Sequence, residues 1–209
     1  MLVQITERDK KILGWINRFR YVTAGQVMKE FNIGRTAAYV RLKKLKDGGY
    51  LKYLRFFRNR PGVYLCTGTG TAVSDSKLSN YNKKIDLATY EHHLTVVDIS
   101  IKLKNQGKWI TEREIWSEVY RELDGKRSNI HIPDAIIVDR EGRRTAVEVE
   151  LTSKSEKRLR QIMKAHRRAR MYDDVLYIVK NIGIKEKIER LSGPLNVKVK
   201  LLEEVLKDE

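Results

Sequence analysis

The chain has 209 residues, of which 41% are hydrophobic, enough for one large domain or two small ones. Its 43 lysines and arginines against 27 acidic residues give a net charge of +16, so a polyanionic partner is the first hypothesis and a generally basic surface the alternative. The single cysteine, Cys66, excludes an internal disulfide framework and a thiolate zinc site, no apolar run approaches the ~18 residues of a membrane span, and we expect a cytoplasmic protein.

The positive charge is concentrated in the first third of the chain. Residues 1–66 carry 15 basic and 4 acidic side chains, whereas residues 67–209 carry 28 and 23. This distribution favours nucleic-acid binding by the N-terminal part over a uniformly basic surface.

Apolar spacing predicts three helices within the first 50 residues. Thr6 with Asp9 approximates a capping box, although aspartate is shorter than the usual glutamate, and it opens a helix that runs to about Arg20. Thr23 is predicted to cap a second helix, and residues 32–34 to form the turn before a third. This is helix-turn-helix spacing.

The third helix and a following hairpin predict a DNA-binding surface. Ala38, Leu42 and Leu45 recur at i, i+4 and i+7 and should face the core, so the opposite side could enter a major groove. Strands over 50–57 and 63–67 would form a wing whose basic tip follows phosphates. The DNA-binding residues predicted on this surface are Arg35, Thr36, Tyr39, Lys43, Lys44, Arg58, Asn59 and Arg60.

These elements predict a winged helix-turn-helix domain over residues 1–67; the alternative is a three-helix unit that packs against protein. Residues 68–85 are polar and lack a sustained period, which is typical of a linker, with room for a helical turn near Ala72. A long helix is predicted from Asp86, where the second domain, 86–209, begins. Apolar residues on a second side of that helix need cover from the first domain or from another subunit, which makes a homodimer one expectation.

The stretch 132–151 is predicted to form a strand hairpin that turns near Gly142. Glu148 and Glu150 share one face of its second strand, because side chains alternate along a strand, and Asp134 lies on the partner strand. Converging carboxylates repel one another and favour a hard cation between them. We therefore expect these three acids to bind Mg²⁺, or Mn²⁺ in its place; the alternative is a hairpin whose polar face contacts water.

The elements around this hairpin predict a mixed sheet. Residues 109–115 alternate like a first strand and 122–129 form a polar loop before it. A helix over 153–170 follows it, and its outward cations are either a solvated face or phosphate contacts. These cations are Lys157, Arg160, Lys164 and Arg168. The remaining elements are a buried strand at 174–180, a helix at 184–191 and a strand at 197–202.

This α/β (α+β) order, with Pro133-Asp134 and Glu148-Val149-Glu150, resembles the PD-(D/E)xK nuclease superfamily and implies a restriction-endonuclease-like domain. In that superfamily the aspartate and the first acid bind magnesium, and a lysine assists the attacking water. Asp134 and Glu148 match the two acids, whereas Glu150 stands where the lysine is expected. The resemblance implies catalytic roles for Asp134, Glu148 and Glu150, with Lys154 as a migrated amine and Gln161 as a polar site residue.

With the N-terminal winged helix, the layout from about Thr6 to Leu202 is similar to the replication-relaxation family of plasmids and other mobile elements. The resemblance implies a factor that acts on double-stranded DNA of such an element, alongside its other replication or relaxation proteins. Two functions follow: a metal-dependent endonuclease or nickase, or a non-catalytic DNA-binding regulator or structural factor with a degenerate nuclease fold. An RNA-binding protein is disfavoured because no paired aromatic stacking motif stands on the strands.

Overall fold

The computed structural model describes residues 3–122, 130–169 and 171–207. The chain divides into two compact units, residues 1–97 and 98–209. The division falls within the helix Tyr90–Leu103, whereas the sequence predicted a boundary before this helix.

The first unit contains helices and a small sheet. The three predicted helices and the predicted hairpin are present, and a two-residue strand that the sequence did not suggest joins the hairpin. The sheet is antiparallel, in the order β1-β3-β2. The elements are α1 Glu7–Arg18, β1 Val22–Thr23, α2 Ala24–Phe31, α3 Arg35–Asp47, β2 Leu51–Leu54 and β3 Val63–Cys66.

Helix α1 starts at a complete capping box, despite the short acid at its third position. The Asp9 carboxylate accepts the backbone N–H of Thr6 at 2.7 Å, and the Thr6 hydroxyl accepts the Asp9 N–H at 3.3 Å. Asp9 is fully buried, and the guanidinium of Arg41 on α3 pairs with it. One carboxylate therefore both caps α1 and ties it to α3.

The stretch predicted to be a linker is packed structure that belongs to the first unit. It contains a short helix, α4, at Gly68–Ala72. Beyond this helix the buried side-chain amide of Asn17 donates to Ser76 Oγ and to the Leu78 carbonyl, both at 3.1 Å. The helical turn predicted near Ala72 is present, and the linker predicted over 68–85 is held through Ser76 and Leu78 by a polar side chain of α1, which composition alone does not reveal.

Helix α5, Tyr90–Leu103, begins later than predicted. The carboxylate of Asp86 accepts the Ala88 N–H at 3.0 Å, so this stretch forms a turn before the helix, and Leu87 is exposed. Of the apolar residues on the second side of this helix, Ile99 and Leu103 are buried within the chain itself, so they require no other subunit for cover.

The second unit is built on a five-stranded mixed sheet in the order β4-β5-β6-β7-β8. The β4-β5 and β5-β6 pairs are antiparallel, and the β6-β7 and β7-β8 pairs are parallel. The whole chain is thus a mixed α/β protein. The elements after α5 are β4 Lys108–Thr111, α6 Glu112–Glu122, β5 Ala135–Val138, β6 Arg144–Glu150, α7 Glu156–Arg168, β7 Asp174–Val179, α8 Ile182–Ser192, β8 Val197–Leu201 and α9 Leu202–Leu206, with a 3-10 turn at Lys104–Gln106.

The strand predicted over 109–115 ends at Thr111, and helix α6 follows at once. Thr111 and Glu114 explain this change, because the Glu114 carboxylate accepts the Thr111 N–H at 2.8 Å and the Thr111 hydroxyl accepts the Glu114 N–H at 3.4 Å. This reciprocal pair is a capping box. The prediction missed it because Ile115, which alternates with the strand residues, is instead buried on the helix. Most of the predicted polar loop, 123–129, lies outside the described residues.

Three helices cover one face of the large sheet. Ile115 of α6, Met163 of α7 and Ile188 of α8 share one core with Ala146 of β6 and Tyr177 of β7. Because side chains alternate along β6, Glu148 and Glu150 point to the same face as Ala146. The acids singled out in the sequence therefore lie beneath helices.

Candidate functional site

The acidic face of β6 is buried. Glu148 is 6% exposed and Glu150 is 3% exposed, so the alternative of a hairpin with a water-facing polar side is wrong. The parallel register places Glu148 beside Tyr177 of β7, which is fully buried. A carboxylate in such surroundings requires hydrogen-bond partners or a cation.

Asp134 lies directly before β5 and reaches across to β6. Its carboxylate accepts the Val149 N–H at 2.8 Å. The bond holds Asp134 beside Glu148, and the negative charge of Asp134 contributes to raising the pKa of the Glu148 carboxyl. The structure therefore brings together the two acids that match the nuclease motif.

Two imidazoles also lie close to Glu148, and the nearer one forms a hydrogen bond with it. Its Oε1 lies 2.6 Å from Nε2 of His131 and 3.4 Å from Nε2 of His166. Burial raises the pKa of the Glu148 carboxyl to about 7, and the charges of Asp134 and Glu150 act in the same direction, while the hydrogen bond with His131 opposes them. Near neutral pH this side chain can both accept and carry a proton.

His166 is a buried imidazole on the inner face of α7. Its Nδ1 lies 2.6 Å from the hydroxyl of Tyr172, and its Nε2 lies 3.2 Å from the hydroxyl of Tyr177. Burial lowers the pKa of His166 to about 3, and the nearby His131 adds to this effect, so the ring is neutral at physiological pH. Burial likewise raises the pKa of both tyrosines, which keeps their hydroxyl protons in place.

Glu150 forms an ion pair with the ammonium of Lys154. Lys154 lies in the segment between β6 and α7, where its carbonyl accepts a hydrogen bond of 2.6 Å from the ammonium of Lys187 on α8. The structure thus brings the suggested migrated amine to the site, next to the acid that replaces the motif lysine. Gln161, by contrast, is exposed on α7, on the side that does not pack against the sheet.

The predicted cations of α7 are exposed. Arg160 lies 3.7 Å from Glu156 of the same helix, and Glu156 also pairs with Arg190 of α8. The carboxylate of Glu156 therefore balances part of the positive charge on this surface. The four exposed cations are Lys157, Arg160, Lys164 and Arg168.

In the first unit, the predicted outward side of α3 is exposed, while Ala38, Leu42 and Leu45 are buried. A cleft of about 390 Å³ is lined by Tyr39 of α3, by Tyr53 of β2 and by the loop that joins β2 to β3. Its other lining residues include Arg55, Arg58, Asn59 and Arg60. The cleft therefore combines aromatic rings with guanidinium groups.

The predicted DNA-binding cations of this unit differ in their partners. Lys43 lies 3.1 Å from Asp47, and Arg60 pairs with Glu91. Within the described parts of the chain, Lys44 and Arg58 form no ion pair. A phosphate would meet the last two cations without competition from a carboxylate of the same chain.

The sequence prediction did not assign a functional role to His131 or His166. His131 stands three residues before Asp134, and a short H-x-P-D stretch is a weak signal on its own. His166 was placed on the inner face of its helix with apolar residues, and a histidine in such a stripe does require a buried polar partner. The need for such a partner was the signal in the sequence that pointed to a role for His166.

The fold and these side chains define a class of protein: a basic, two-unit α/β protein with an exposed cationic helix and a buried cluster of carboxylates and imidazoles. The sequence profile described as replication-relaxation matches residues 13–175, and the chain belongs to this family. No curated protein and no solved structure matches the chain significantly. In the described portions of the chain, no helix has both the length and the apolar character that a membrane crossing requires.

Proposed function

We propose that this protein binds double-stranded DNA of a plasmid or other mobile element and acts in its replication or relaxation. Its first unit serves as a winged helix-turn-helix module, with α3 in the major groove and the β2-β3 hairpin as the wing. Family membership supports the process, and the observation that carries the DNA contact is the exposed face of α3 beside the cleft lined by tyrosines and arginines.

The second unit supplies a metal-dependent endonuclease or nickase-like site. Asp134 lies directly before β5 and Glu148 lies on the neighbouring strand β6, and the two carboxylates fit a divalent cation such as Mg²⁺ or Mn²⁺. Glu150 is a third candidate, although its carboxylate is already neutralised by Lys154. A bound cation would activate water and stabilise charge on the phosphate.

The protein's own groups have separate tasks in this proposal. The Val149 N–H orients the Asp134 carboxylate, and the imidazole of His131 orients that of Glu148. Lys154, held against Glu150, places an ammonium at the edge of the site, where it can attract a phosphate oxygen. The exposed cations of α7 are suited to contact the flanking phosphates.

The second candidate function is that of a non-catalytic DNA-binding regulator or structural factor. Glu150 occupies the position of the motif lysine, and all three acids have partners within the protein. Such satisfied carboxylates are consistent with a nuclease fold that has kept its structure and lost its reaction. The same DNA contacts serve either function.

Incubation of supercoiled plasmid with the full-length protein and Mg²⁺ or Mn²⁺ separates the two functions. We expect nicked plasmid with the native protein and none with Asp134→Asn, which keeps an oxygen for the Val149 N–H but removes the charge. Asp139→Asn, at the other end of β5, is the matched control and should nick normally. A gel shift without nicking supports the regulator, and the absence of both refutes the proposal as a whole.

The remaining expectations are a cytoplasmic location, cooperation with other replication or relaxation proteins of the element, and a homodimer. Because Ile99 and Leu103 are buried in the chain itself, covering α5 is no longer the reason for a homodimer. Palindromic target DNA would be the reason instead, since paired winged helices bind paired half-sites. Sedimentation of the protein with and without DNA tests this point.

A further inference from the structure

We propose that His131, Glu148 and His166 together form a site for a transition-metal ion. One ligand atom from each of the three side chains lies within 4.8 Å of the other two. This inference deepens the proposed function, because it rests on the same face of the sheet but replaces the all-oxygen ligand set with one carboxylate and two imidazoles.

The three side chains come from separate parts of the second unit. His131 lies ahead of β5, Glu148 on β6 and His166 on α7. They converge only because α7 packs over the face of β6 that carries the acids. Two imidazoles and a carboxylate from three elements, aimed at one point, are a ligand arrangement found at metal sites with three protein ligands.

The distances are close to those required. Ligand atoms that share one ion at ordinary bond lengths lie about 3.4 Å apart in tetrahedral geometry. The Glu148–His166 distance is 3.4 Å, whereas the Glu148–His131 distance is 2.6 Å and must open on binding. The His131 side chain is 20% exposed and precedes the strand, so it is the ligand most able to move.

The surroundings of His166 favour its role as a ligand. The hydroxyl of Tyr172 lies 2.6 Å from Nδ1, so an Nδ1–H donated to this hydroxyl leaves the lone pair on Nε2, the nitrogen that faces Glu148. Nε2 also lies 3.2 Å from the hydroxyl of Tyr177, and a metal ion would replace that hydrogen bond. An outer partner that fixes the ring in this way is typical of metal-bound histidines. Asp134 stands beside Glu148 and adds negative charge to the site.

The donor set determines which ions should bind. Imidazole nitrogens suit Zn²⁺, Co²⁺ and related transition ions, whereas Mg²⁺ prefers oxygen ligands and retains its water. Three protein ligands leave at least one position for water or a phosphate oxygen. We therefore expect this site to bind Co²⁺ or Zn²⁺ in preference to Mg²⁺.

Co²⁺ titration of the full-length protein, followed by visible absorption and by calorimetry, tests the site without DNA. We expect one Co²⁺ per chain, displaced by Zn²⁺ and not by excess Mg²⁺. His131→Ala should weaken binding at least tenfold and change the absorption spectrum. His92→Ala, which removes a histidine of the first unit, is the matched control and should bind as the native protein does.

Two further variants keep the test decisive if one fails to fold. His166→Asn and Glu148→Gln should each weaken Co²⁺ binding, and thermal unfolding without metal checks that each is folded. Equal Co²⁺ binding by native protein and His131→Ala, or no Co²⁺ binding by folded native protein, overturns the site and leaves a hydrogen-bond network only. Co²⁺ binding without plasmid nicking would retain the site and reject the nuclease. Mg²⁺-dependent nicking by a native protein that binds no Co²⁺ would reject the site and retain the nuclease.

Discussion

Two buried carboxylates in this protein are stabilised in opposite ways. Burial by itself raises the pKa of Asp9, but hydrogen bonds from Arg41 and Thr6 outweigh it and hold that pKa below its ordinary value. Glu148 is surrounded by imidazoles and other acids, so burial dominates and raises its pKa to about 7. Asp9 is therefore a charged structural group, whereas Glu148 is a group able to exchange protons.

At the residue scale, Asp9→Ala should destabilise the first unit by about 3 kcal/mol, because it leaves the guanidinium of Arg41 without its buried partner and removes the half of the capping box that accepts the Thr6 N–H. Urea denaturation measures the change. Asp47→Ala is the control: it removes an exposed carboxylate paired with Lys43 and should leave the unfolding midpoint unchanged. Similar losses in both variants would contradict the buried role of Asp9.

The pH dependence of unfolding gives a second test of Asp9. Its pKa is lower in the folded state than the ordinary 3.8, so the unfolded chain binds the proton more readily. The stability due to Asp9 is present above that value and is lost as the pH falls below it. Denaturation at a series of acidic pH values should show that the free energy of unfolding falls less steeply with decreasing pH for Asp9→Ala than for the native chain. Parallel curves would argue against this assignment.

At the element scale, α4 shows that the segment after β3 is part of the packed first unit. A Cβ at Gly70 would lie 2.0 Å from the carbonyl oxygen of Tyr50, whereas a Cβ at Gly68 would meet nothing within 4 Å. Gly70→Ala must therefore move the backbone at the start of β2, and we expect it to cost roughly 2 kcal/mol. Gly68→Ala, the same change in the same helix, should cost little. Equal urea midpoints for the two variants would mean that α4 does not pack there in solution.

At the scale of the whole molecule, a net charge of +16 predicts DNA binding that weakens steeply with salt. Lys44→Ala with Arg58→Ala should reduce the slope of log affinity against log salt by about two, one for each phosphate contact. Lys43→Ala with Arg60→Ala should reduce it less, because these cations already pair with Asp47 and Glu91. Fluorescence anisotropy over a salt series measures both slopes.

A control for general charge loss comes from the second unit. Lys200→Ala with Lys207→Ala removes two exposed cations near β8 and α9 and should leave the slope unchanged. A slope that falls equally in all three double variants would show that total charge, and not the surface of α3 and the hairpin, governs the affinity.

The amino-acid sequence by itself determined most of the local elements and their faces. The i, i+4, i+7 spacing of Ala38, Leu42 and Leu45 predicted the buried side of α3, and strand alternation placed Glu148 and Glu150 on one face of β6. Such patterns are readable because they repeat within one element and depend on backbone geometry alone. The short motifs also identified the family.

Only the tertiary structure decided what those faces meet. Glu148 is buried because α7 packs across β6, and the same packing brings His166 to within 3.4 Å of it and lets His131 approach from the segment before β5. Arg41 meets Asp9, and Asn17 meets the segment after α4, for the same reason. These contacts join residues far apart in the chain, so their partners follow from how the elements pack and not from any local repeat.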